Sequence, residues 1–297
     1  MLNPKKNLRT FDNHAPIYFE ADPNFQADLI ELIQPKISIS KSLYLIENVL
    51  SPAECQQLIE KSKPYYQTLA DEFLLNERHA NRVLSFDERL ATTLYDRIET
   101  FIQQDDKLVD IEPCGFGTAG TWLPYQVNNC FRYNQYVGPS IGFRPHRDAT
   151  YIQNEDHRSI LTILIYLNDN YHSGQTIFLK SHTKRQKGQT VPDELVGGYH
   201  ERYVYQPKAG SVLIFNHNLI HLGNEIFESD IKYVIRSDLI FRRVTRPLNY
   251  SYSWLQHPDY IQCVKLYREA FNQELDGNIE RASKLYERAL ALRQKHD

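Results

Sequence analysis

The sequence is poor in sulfur and has no long apolar run. Among its 297 residues there are four cysteines and one methionine. No two cysteines form a Cys-x-x-Cys pair, which argues against a zinc ribbon and a disulfide scaffold, so we expect four reduced thiols. No segment reaches the roughly 18 apolar residues that span a bilayer, and residues 1–10 lack the apolar stretch of a secretory signal. We therefore expect a cytoplasmic protein with no membrane partner.

Neither the basic nor the acidic residues are in strong excess. The formal net charge is −3, which excludes a generally basic protein that coats nucleic acid and argues against nucleic acid as a partner. Hydrophobic residues make up 41% and charged residues 24% of the chain, the balance of an ordinary globular protein. The length suits one large domain with appendages or two modest domains.

Aromatic residues are plentiful, with 20 tyrosines and 14 phenylalanines. This enrichment favours β-sheet over a helical bundle. Short strand patterns follow one another after residue 128, separated by Gly, Pro, Asn and Asp, which is typical of an antiparallel sandwich or barrel. The predicted strands cover 130–137, 160–167, 176–179, 202–205, 211–215 and 232–241. We therefore predict a mainly β fold with flanking helices, of the α+β class.

The chain divides into regions of different character. They are an irregular, proline-interrupted lead-in (1–41), a helical support region (42–126), a β-rich core (127–245) and a C-terminal helical extension (246–297). The support region is predicted to begin with a strand over 42–46. A helix capped by Ser51 and Glu54 and a second helix over 88–104 are predicted after it, with a loop over 112–124. The C-terminal extension is expected to form a helical hairpin packed on the sheet. The polar stretch 180–200 is predicted to be a mobile lid or a disordered insertion.

The first candidate for chemistry is the His-x-Asp pair formed by His146 and Asp148. Side chains two apart at the end of a strand point the same way, so both can hold one metal ion. The spacing alone is a weak signal, because His-x-Asp occurs by chance in many sequences.

His221 is the candidate third ligand, and it follows the apolar strand 211–215. Two histidines and one carboxylate form the facial triad that leaves three positions open on ferrous iron. A bidentate cosubstrate takes two of them and dioxygen the third. His217 is the rival ligand: the His-x-x-x-His spacing would suit a helical zinc site, but the strand-like context argues against a helix here.

Two cations, Lys232 and Arg236, lie four apart on the next predicted strand and therefore share a face. A cosubstrate with a free carboxylate requires a buried cation to hold it. The spacing does not decide between the two.

Together these residues lie in stretches that resemble the 2-oxoglutarate- and Fe(II)-dependent dioxygenases, in particular the prolyl-4-hydroxylase-like branch. The matching stretches are 131–148 (FRYNQYVGPSIGFRPHRD), 159–178 (SILTILIYLNDNYHSGQTIF) and 207–241, which contains PKAGSVLIFNHNLIHLG and IKYVIRSDLIF. The resemblance covers roughly residues 42–243. The chain departs from the family's pattern at Ser173, where a paired glycine is usual, and by one extra residue before His146.

The resemblance implies a double-stranded β-helix, or jelly-roll, core with N-terminal support helices. It implies that His146, Asp148 and His221 bind iron and that Lys232 or Arg236 binds the distal carboxylate of 2-oxoglutarate. Tyr136 lies where the family often has a tyrosine that touches this cosubstrate.

The implied function is an Fe(II)/2-oxoglutarate-dependent dioxygenase that hydroxylates an unactivated C–H bond. Its partners would be 2-oxoglutarate, dioxygen and a protein, peptide or small-molecule substrate, with a protein or peptide side chain favoured. 2-Oxoglutarate would be decarboxylated to succinate and CO2, and ascorbate would be a further candidate requirement. The alternatives are a non-enzymatic double-stranded β-helix that serves as a binding module and a jelly-roll metalloenzyme that does not use 2-oxoglutarate. The intact triad and the two cations count against both.

Overall fold

The computed structural model describes residues 18–19, 36–40, 43–66, 80–103, 113–181, 199–276 and 278–296. Most of the predicted lead-in (1–41) and of the polar excursion (180–200) lies outside these ranges. None of the helices in the described part of the chain is both long and apolar enough to cross a membrane.

Two β-sheets form the body of the protein. The strands of the larger sheet are β1 (Tyr18–Phe19), β2 (Lys36–Ser40), β3 (Leu43–Ile46), β4 (Asn81–Phe86), β5 (Thr121–Val127), β6 (Cys130–Val137), β8 (His157–Tyr166), β11 (Val212–Asn216) and β13 (Ile231–Thr245). Those of the smaller sheet are β7 (Phe143–His146), β9 (Thr176–Ser181), β10 (Tyr199–Tyr205) and β12 (His221–Gly223).

The chain crosses repeatedly between these sheets, which is the jelly-roll arrangement expected from the sequence. Strands β6, β13, β8 and β11 are consecutive neighbours in the larger sheet, and β10, β9, β12 and β7 are consecutive in the smaller one. All pairings within these two sets are antiparallel. The prediction of a mainly β jelly roll with flanking helices is therefore confirmed.

Two support helices cover the outer face of the larger sheet. They are α1 (Pro52–Ser62), which begins with the predicted capping box of Ser51 and Glu54, and α2 (Glu88–Gln103). Their apolar faces pack on the strand residues that point outward in one buried cluster, which includes Leu58, Leu94, Ile98, Ile163, Ile165 and Ile235. Because neighbouring strand residues point to opposite faces, the other face of β6, β8 and β13 is left for the space between the sheets.

A C-terminal hairpin of α3 (Pro258–Leu275) and α4 (Ile279–Gln294) completes the described fold. Its seam is built from buried residues such as Leu266, Ala270 and Ala289, and it packs on Ala149 and Ile152, which follow the His-x-Asp pair. Glu274 of α3 forms ion pairs of 2.8 Å with Arg82 of β4 and Arg132 of β6. The hairpin is therefore joined to the sheet edge and to the loop after Asp148.

The sequence analysis missed some strands. The stretch 112–124 was predicted to be a loop, yet β5 begins at Thr121. This strand pairs with β13 outside the main strand order, a position in which Pro124 is tolerated because no central ladder hydrogen bond is lost. Strand β3 agrees with the strand predicted over 42–46, whereas β4 and β5 were not predicted. All three strands join the larger sheet, so region 42–126 contributes strands as well as helices.

Candidate active site

His146 and His221 meet across two neighbouring strands of the smaller sheet. His146 ends β7, His221 begins β12, and the two residues are direct partners in the β7–β12 register. Their ring centroids are 4.2 Å apart. Each Nδ1 lies against a backbone carbonyl, that of Arg144 at 2.8 Å and that of Leu219 at 3.0 Å. Donation from Nδ1 to these carbonyls leaves the Nε2 lone pairs free to bind a metal.

Asp148 is the acidic member of the cluster and is 9% exposed. Its carboxylate oxygens lie 3.9 Å from Nε2 of His146 and 3.7 Å from Nε2 of His221. Both distances exceed hydrogen-bond length, and all three ligand atoms lie within 4.8 Å of one another. Two imidazoles and one carboxylate are the donor set of non-haem Fe(II) sites, so these residues fit the implied metal.

Behind Asp148 lies a chain of buried polar groups, of which the sequence analysis had singled out only His217. Thr162 Oγ1 donates to Asp148 Oδ2 at 2.6 Å, and His217 Nδ1 lies 2.9 Å from the same hydroxyl. Ser159 Oγ lies 3.0 Å from the other ring nitrogen of His217. If Thr162 donates to Asp148, His217 must donate from Nδ1 and accept at Nε2.

His217 is therefore a support for the carboxylate and not a member of the metal cluster. Burial lowers the pKa of His217 to about 4, despite the neighbouring Asp238 and Asp148, so its ring is neutral at neutral pH. Its backbone carbonyl also accepts the Asp148 N–H at 3.2 Å. The signal for Thr162 was present in the sequence, because it is a polar residue inside the apolar strand β8.

Arg236 lies on the other side of Asp148. Its Nε is 3.4 Å from Asp148 Oδ1, and its terminal nitrogen donates to Asp238 at 3.1 Å. Burial would raise the pKa of Asp148, but the charges of Arg236, His221 and His146 hold it well below its usual range. Arg236 is thus already engaged with two carboxylates, one of them a candidate metal ligand.

Lys232 has a different environment, although it shares the inward face of β13 with Arg236. It is 4% exposed, and its ammonium donates to the Gly174 carbonyl at 2.7 Å. The rings of Tyr136 and Tyr166 lie 5.8 and 5.4 Å from Nζ. No carboxylate among the described residues pairs with it, and burial lowers the pKa of Lys232 to about 7.

Gly174 shows how closely this part of the site is fitted. Its φ is +70°, and a Cβ there would lie 2.3 Å from Ile226 Cδ1 and 3.3 Å from Lys232 Cδ. A glycine is therefore required for its carbonyl to reach the ammonium. The neighbouring departure from the family pattern, Ser173, donates its hydroxyl to Asp230 at 2.6 Å.

Tyr136 is the register partner of Lys232 on β6 and is 8% exposed. It belongs to a buried cluster between the sheets with Tyr166, Phe178 and Phe215. Phe215 and Phe178 also lie against His221, with ring centroids 4.7 and 5.9 Å away. The structure thus groups His146, His221 and Arg236 around Asp148. It places Lys232 beside Tyr136, whose aromatic cluster also lies against His221.

Comparison with known proteins agrees with this geometry. Residues 131–237 match the model of the 2OG-Fe(II) oxygenase superfamily. The match confirms the resemblance seen in the sequence, and with it the class of enzyme, an oxidoreductase dioxygenase. No curated protein matches the chain.

Several solved structures of such oxygenases are similar to the chain at low sequence identity. A viral collagen prolyl hydroxylase from Paramecium Bursaria Chlorella virus-1 is 15% identical, with 69% of this chain and 99% of that chain covered and a TM-score of 0.40. A prolyl-4-hydroxylase from Pseudomonas putida is 14% identical, with 69% and 94% covered and a TM-score of 0.40. A Trichoplax adhaerens prolyl hydroxylase, solved with a hypoxia inducible factor peptide fragment, is 17% identical, with 69% and 84% covered and a TM-score of 0.43.

The C-terminal hairpin reaches the candidate active site from outside the matched segment. Arg293 of α4 donates to Thr150 Oγ1 at 2.7 Å and to Asn218 Oδ1 at 2.6 Å. Thr150 lies two residues after Asp148, and Asn218 three residues before His221. One buried arginine therefore holds both loops that carry candidate ligands, a role with no signature in the sequence.

Proposed function

We propose that the chain is an Fe(II)- and 2-oxoglutarate-dependent dioxygenase that hydroxylates an unactivated C–H bond of a protein or peptide side chain. The observation that carries the proposal is a combination of two features in one buried space. One is the two-histidine, one-carboxylate cluster. The other is a buried ammonium, that of Lys232, which has no carboxylate partner among the described residues.

The roles of the cluster follow from its surroundings. His146 and His221 would bind Fe(II) through Nε2, because their Nδ1 atoms lie against backbone carbonyls. Asp148 would bind through its carboxylate, which is oriented by the Thr162 hydroxyl and by Arg236. Bound iron and 2-oxoglutarate supply the oxidising chemistry, and the protein supplies geometry and a site without bulk water.

Of the two cations, Lys232 is the one we assign to the distal carboxylate of 2-oxoglutarate. Arg236 already contacts Asp148 and Asp238, whereas the Lys232 ammonium meets only a carbonyl and two aromatic rings. A buried cation without a counter-charge is unfavourable, and a carboxylate in charge-assisted contact removes that penalty. Tyr136 would form one wall of this subsite.

The choice of a protein or peptide side chain as substrate rests on the resemblance of stretches 131–148, 159–178 and 207–241 to the prolyl-4-hydroxylase-like branch. Within the site, the aromatic residues Phe178 and Phe215 would shield the reacting centre from water on the inner side. Hydroxylation would be coupled to conversion of 2-oxoglutarate to succinate and CO2.

The test is succinate release by the purified protein with Fe(II), ascorbate and 2-oxoglutarate, without and with a proline-containing peptide library. We expect His146→Ala to abolish succinate release. The matched control is His157→Ala, because His157 begins β8 and contacts Asn154 instead of the cluster. It should retain wild-type activity.

A parallel titration of 2-oxoglutarate in the presence of Mn(II), which does not support turnover, separates binding from catalysis. We expect the wild type to bind 2-oxoglutarate and Lys232→Ala to bind it at least tenfold more weakly. Absence of both succinate release and 2-oxoglutarate binding would contradict the proposal and favour the non-enzymatic binding module.

A further inference from the structure

A second set of two histidines and one carboxylate lies on the C-terminal hairpin, outside the matched segment. It consists of His257, Asp259 and His296, whose candidate ligand atoms all lie within 4.8 Å of one another. His296 Nε2 is 3.0 Å from Asp259 Oδ2, and the ring centroids of His257 and His296 are 4.8 Å apart. The donor set is the same as in the oxygenase site.

The ends of the two hairpin helices carry this cluster. His257 is the N-cap residue of α3 and Asp259 lies in its first turn, while His296 lies two residues beyond the end of α4. The two helices are held together by the buried seam that includes Cys263, Leu266 and Ala289. The three side chains therefore lie at or next to helix ends that the apolar seam brings together.

Phe116 closes one side of the cluster. Its ring centroid lies 5.2 Å from that of His257 and 4.1 Å from that of His296, and Phe116 is 8% exposed. His257 and His296 are exposed, and Asp259 is half-buried. An ion would thus have an apolar wall behind it and direct access from solvent, with water available for the remaining positions.

We propose that His257, Asp259 and His296 form a second metal site, for a divalent ion of borderline softness such as Zn²⁺. Imidazole ligands select ions of this class over Mg²⁺ and Ca²⁺, which prefer all-oxygen sets. Without metal, the His296–Asp259 hydrogen bond and the bond from the Asp259 N–H to His257 Nδ1 at 3.2 Å keep the same groups in place. The bound ion would link the start of α3 to the chain just beyond α4 and so stabilise the hairpin.

Zn²⁺ alone is the probe, and mutation separates the two sites. Zn²⁺ bound to the full chain is measured by equilibrium dialysis and elemental analysis. We expect two equivalents in the wild type, one in an Asp148→Ala/His221→Ala variant, and none when His296→Ala is added to that variant. His157→Ala in the Asp148→Ala/His221→Ala background is the matched control and should retain its one equivalent.

A second readout tests whether the ion acts on the hairpin. In the Asp148→Ala/His221→Ala background, Zn²⁺ should raise the unfolding temperature, and His296→Ala should abolish this rise while leaving the metal-free unfolding temperature within a few degrees. The proposal is overturned if that background binds no saturable Zn²⁺, or if its remaining equivalent persists after His296→Ala. Neither result depends on turnover, so the proposed function is tested separately.

Discussion

Replacement of Lys232 by methionine is expected to stabilise the protein when 2-oxoglutarate is absent. Lys232 is buried, and this burial lowers its pKa from the ordinary 10.5 to about 7. Because one pKa unit corresponds to about 1.4 kcal/mol, the charged ammonium destabilises the folded protein by about 4 kcal/mol at pH 7. Methionine keeps the unbranched apolar stem and removes the charge.

One contact offsets part of this destabilisation. The charged and the neutral amine can both donate to the Gly174 carbonyl, and this hydrogen bond contributes about 1 kcal/mol. The attraction of the Tyr136 and Tyr166 rings to the charged form is already contained in the lowered pKa. Since Lys232→Met loses the hydrogen bond, we expect it to raise the free energy of unfolding by about 3 kcal/mol at pH 7.

The gain has a defined pH dependence. The folded pKa of Lys232 lies below the unfolded one, so the unfolded chain binds the extra proton between these two values. The destabilisation of the wild type is therefore complete below about pH 7, shrinks as the pH rises, and is gone above about pH 10.5. The advantage of the methionine variant should disappear over the same interval.

The assay is urea unfolding of metal-free protein at about pH 7 and about pH 9.5. Lys208→Met is the matched control, because Lys208 is an exposed lysine paired with Glu47 and its loss should change stability by less than about 0.5 kcal/mol. Mn(II) is then added together with 2-oxoglutarate, the latter at about 100 times its own dissociation constant. Under these conditions the free energy of unfolding should rise by about 2.7 kcal/mol in the wild type and by much less in the Lys232→Met variant. A Lys232→Met variant less stable than wild type at pH 7 without 2-oxoglutarate would refute the reasoning.

Three further perturbations test other parts of the structure. Thr162→Val removes the hydroxyl that donates to Asp148 and should weaken Co(II) binding, followed by its visible spectrum, by about tenfold or more. Glu274→Gln leaves the buried Arg132 and the half-buried Arg82 without their shared carboxylate and should lower the free energy of urea unfolding by about 3 kcal/mol. Burial raises the pKa of Cys55 to about 12 and that of Cys130 to about 11, so neither should react with iodoacetamide in the folded protein, as judged by mass spectrometry.

Each of these has a control and a contrary outcome. Thr162→Ser keeps a hydroxyl and should restore Co(II) affinity, whereas equal affinity in the valine and wild-type proteins would exclude a role for the hydroxyl. The control for Glu274→Gln is Glu60→Gln, which alters the exposed Lys63–Glu60 ion pair and should change the free energy of unfolding by less than about 0.5 kcal/mol. A comparably small effect of Glu274→Gln would show that its arginines are solvated. Cys114 is half-buried and should be alkylated first, and earlier labelling of Cys55 would show that the support helix opens.

Much of the architecture could be predicted because it is encoded over short distances. The capping box of Ser51 and Glu54 fixes the start of α1, and the alternation on β6 and β13 fixes which residues face inward. The triad could be predicted from ligand types and strand ends. Proline interrupts the pattern of two strands that were missed, β5 with Pro124 and β7 with Pro145; β7 lies at a sheet edge, where proline is tolerated. Strand β4 was also missed, although it contains neither proline nor glycine.

The sequence could not predict which of the two cations is available to bind the 2-oxoglutarate carboxylate and which is paired within the protein. Lys232 and Arg236 share a face of one strand. The position of Lys232 better matches the prolyl-hydroxylase-like branch, and that of Arg236 matches relatives with an arginine further along this strand, so the sequence left both open. What separates them is the position of Asp148 and Asp238, one from a different loop and one two residues along the strand. Such tertiary neighbours have no signature in a single sequence. The same holds for Arg293, which contacts residues far away along the chain.

The ion pairs of Glu274 constrain which sequence changes this protein can accept during evolution. The family-matched segment contains Arg132, yet the carboxylate that it contacts in the described structure belongs to a helix beyond that segment. The hairpin therefore cannot behave as an interchangeable module: a lineage that lost or replaced it would have to change Arg82 and Arg132 at the same time. We expect the three positions to vary together among relatives that carry this hairpin, and a chain trimmed to the matched boundaries to be a poor folding unit.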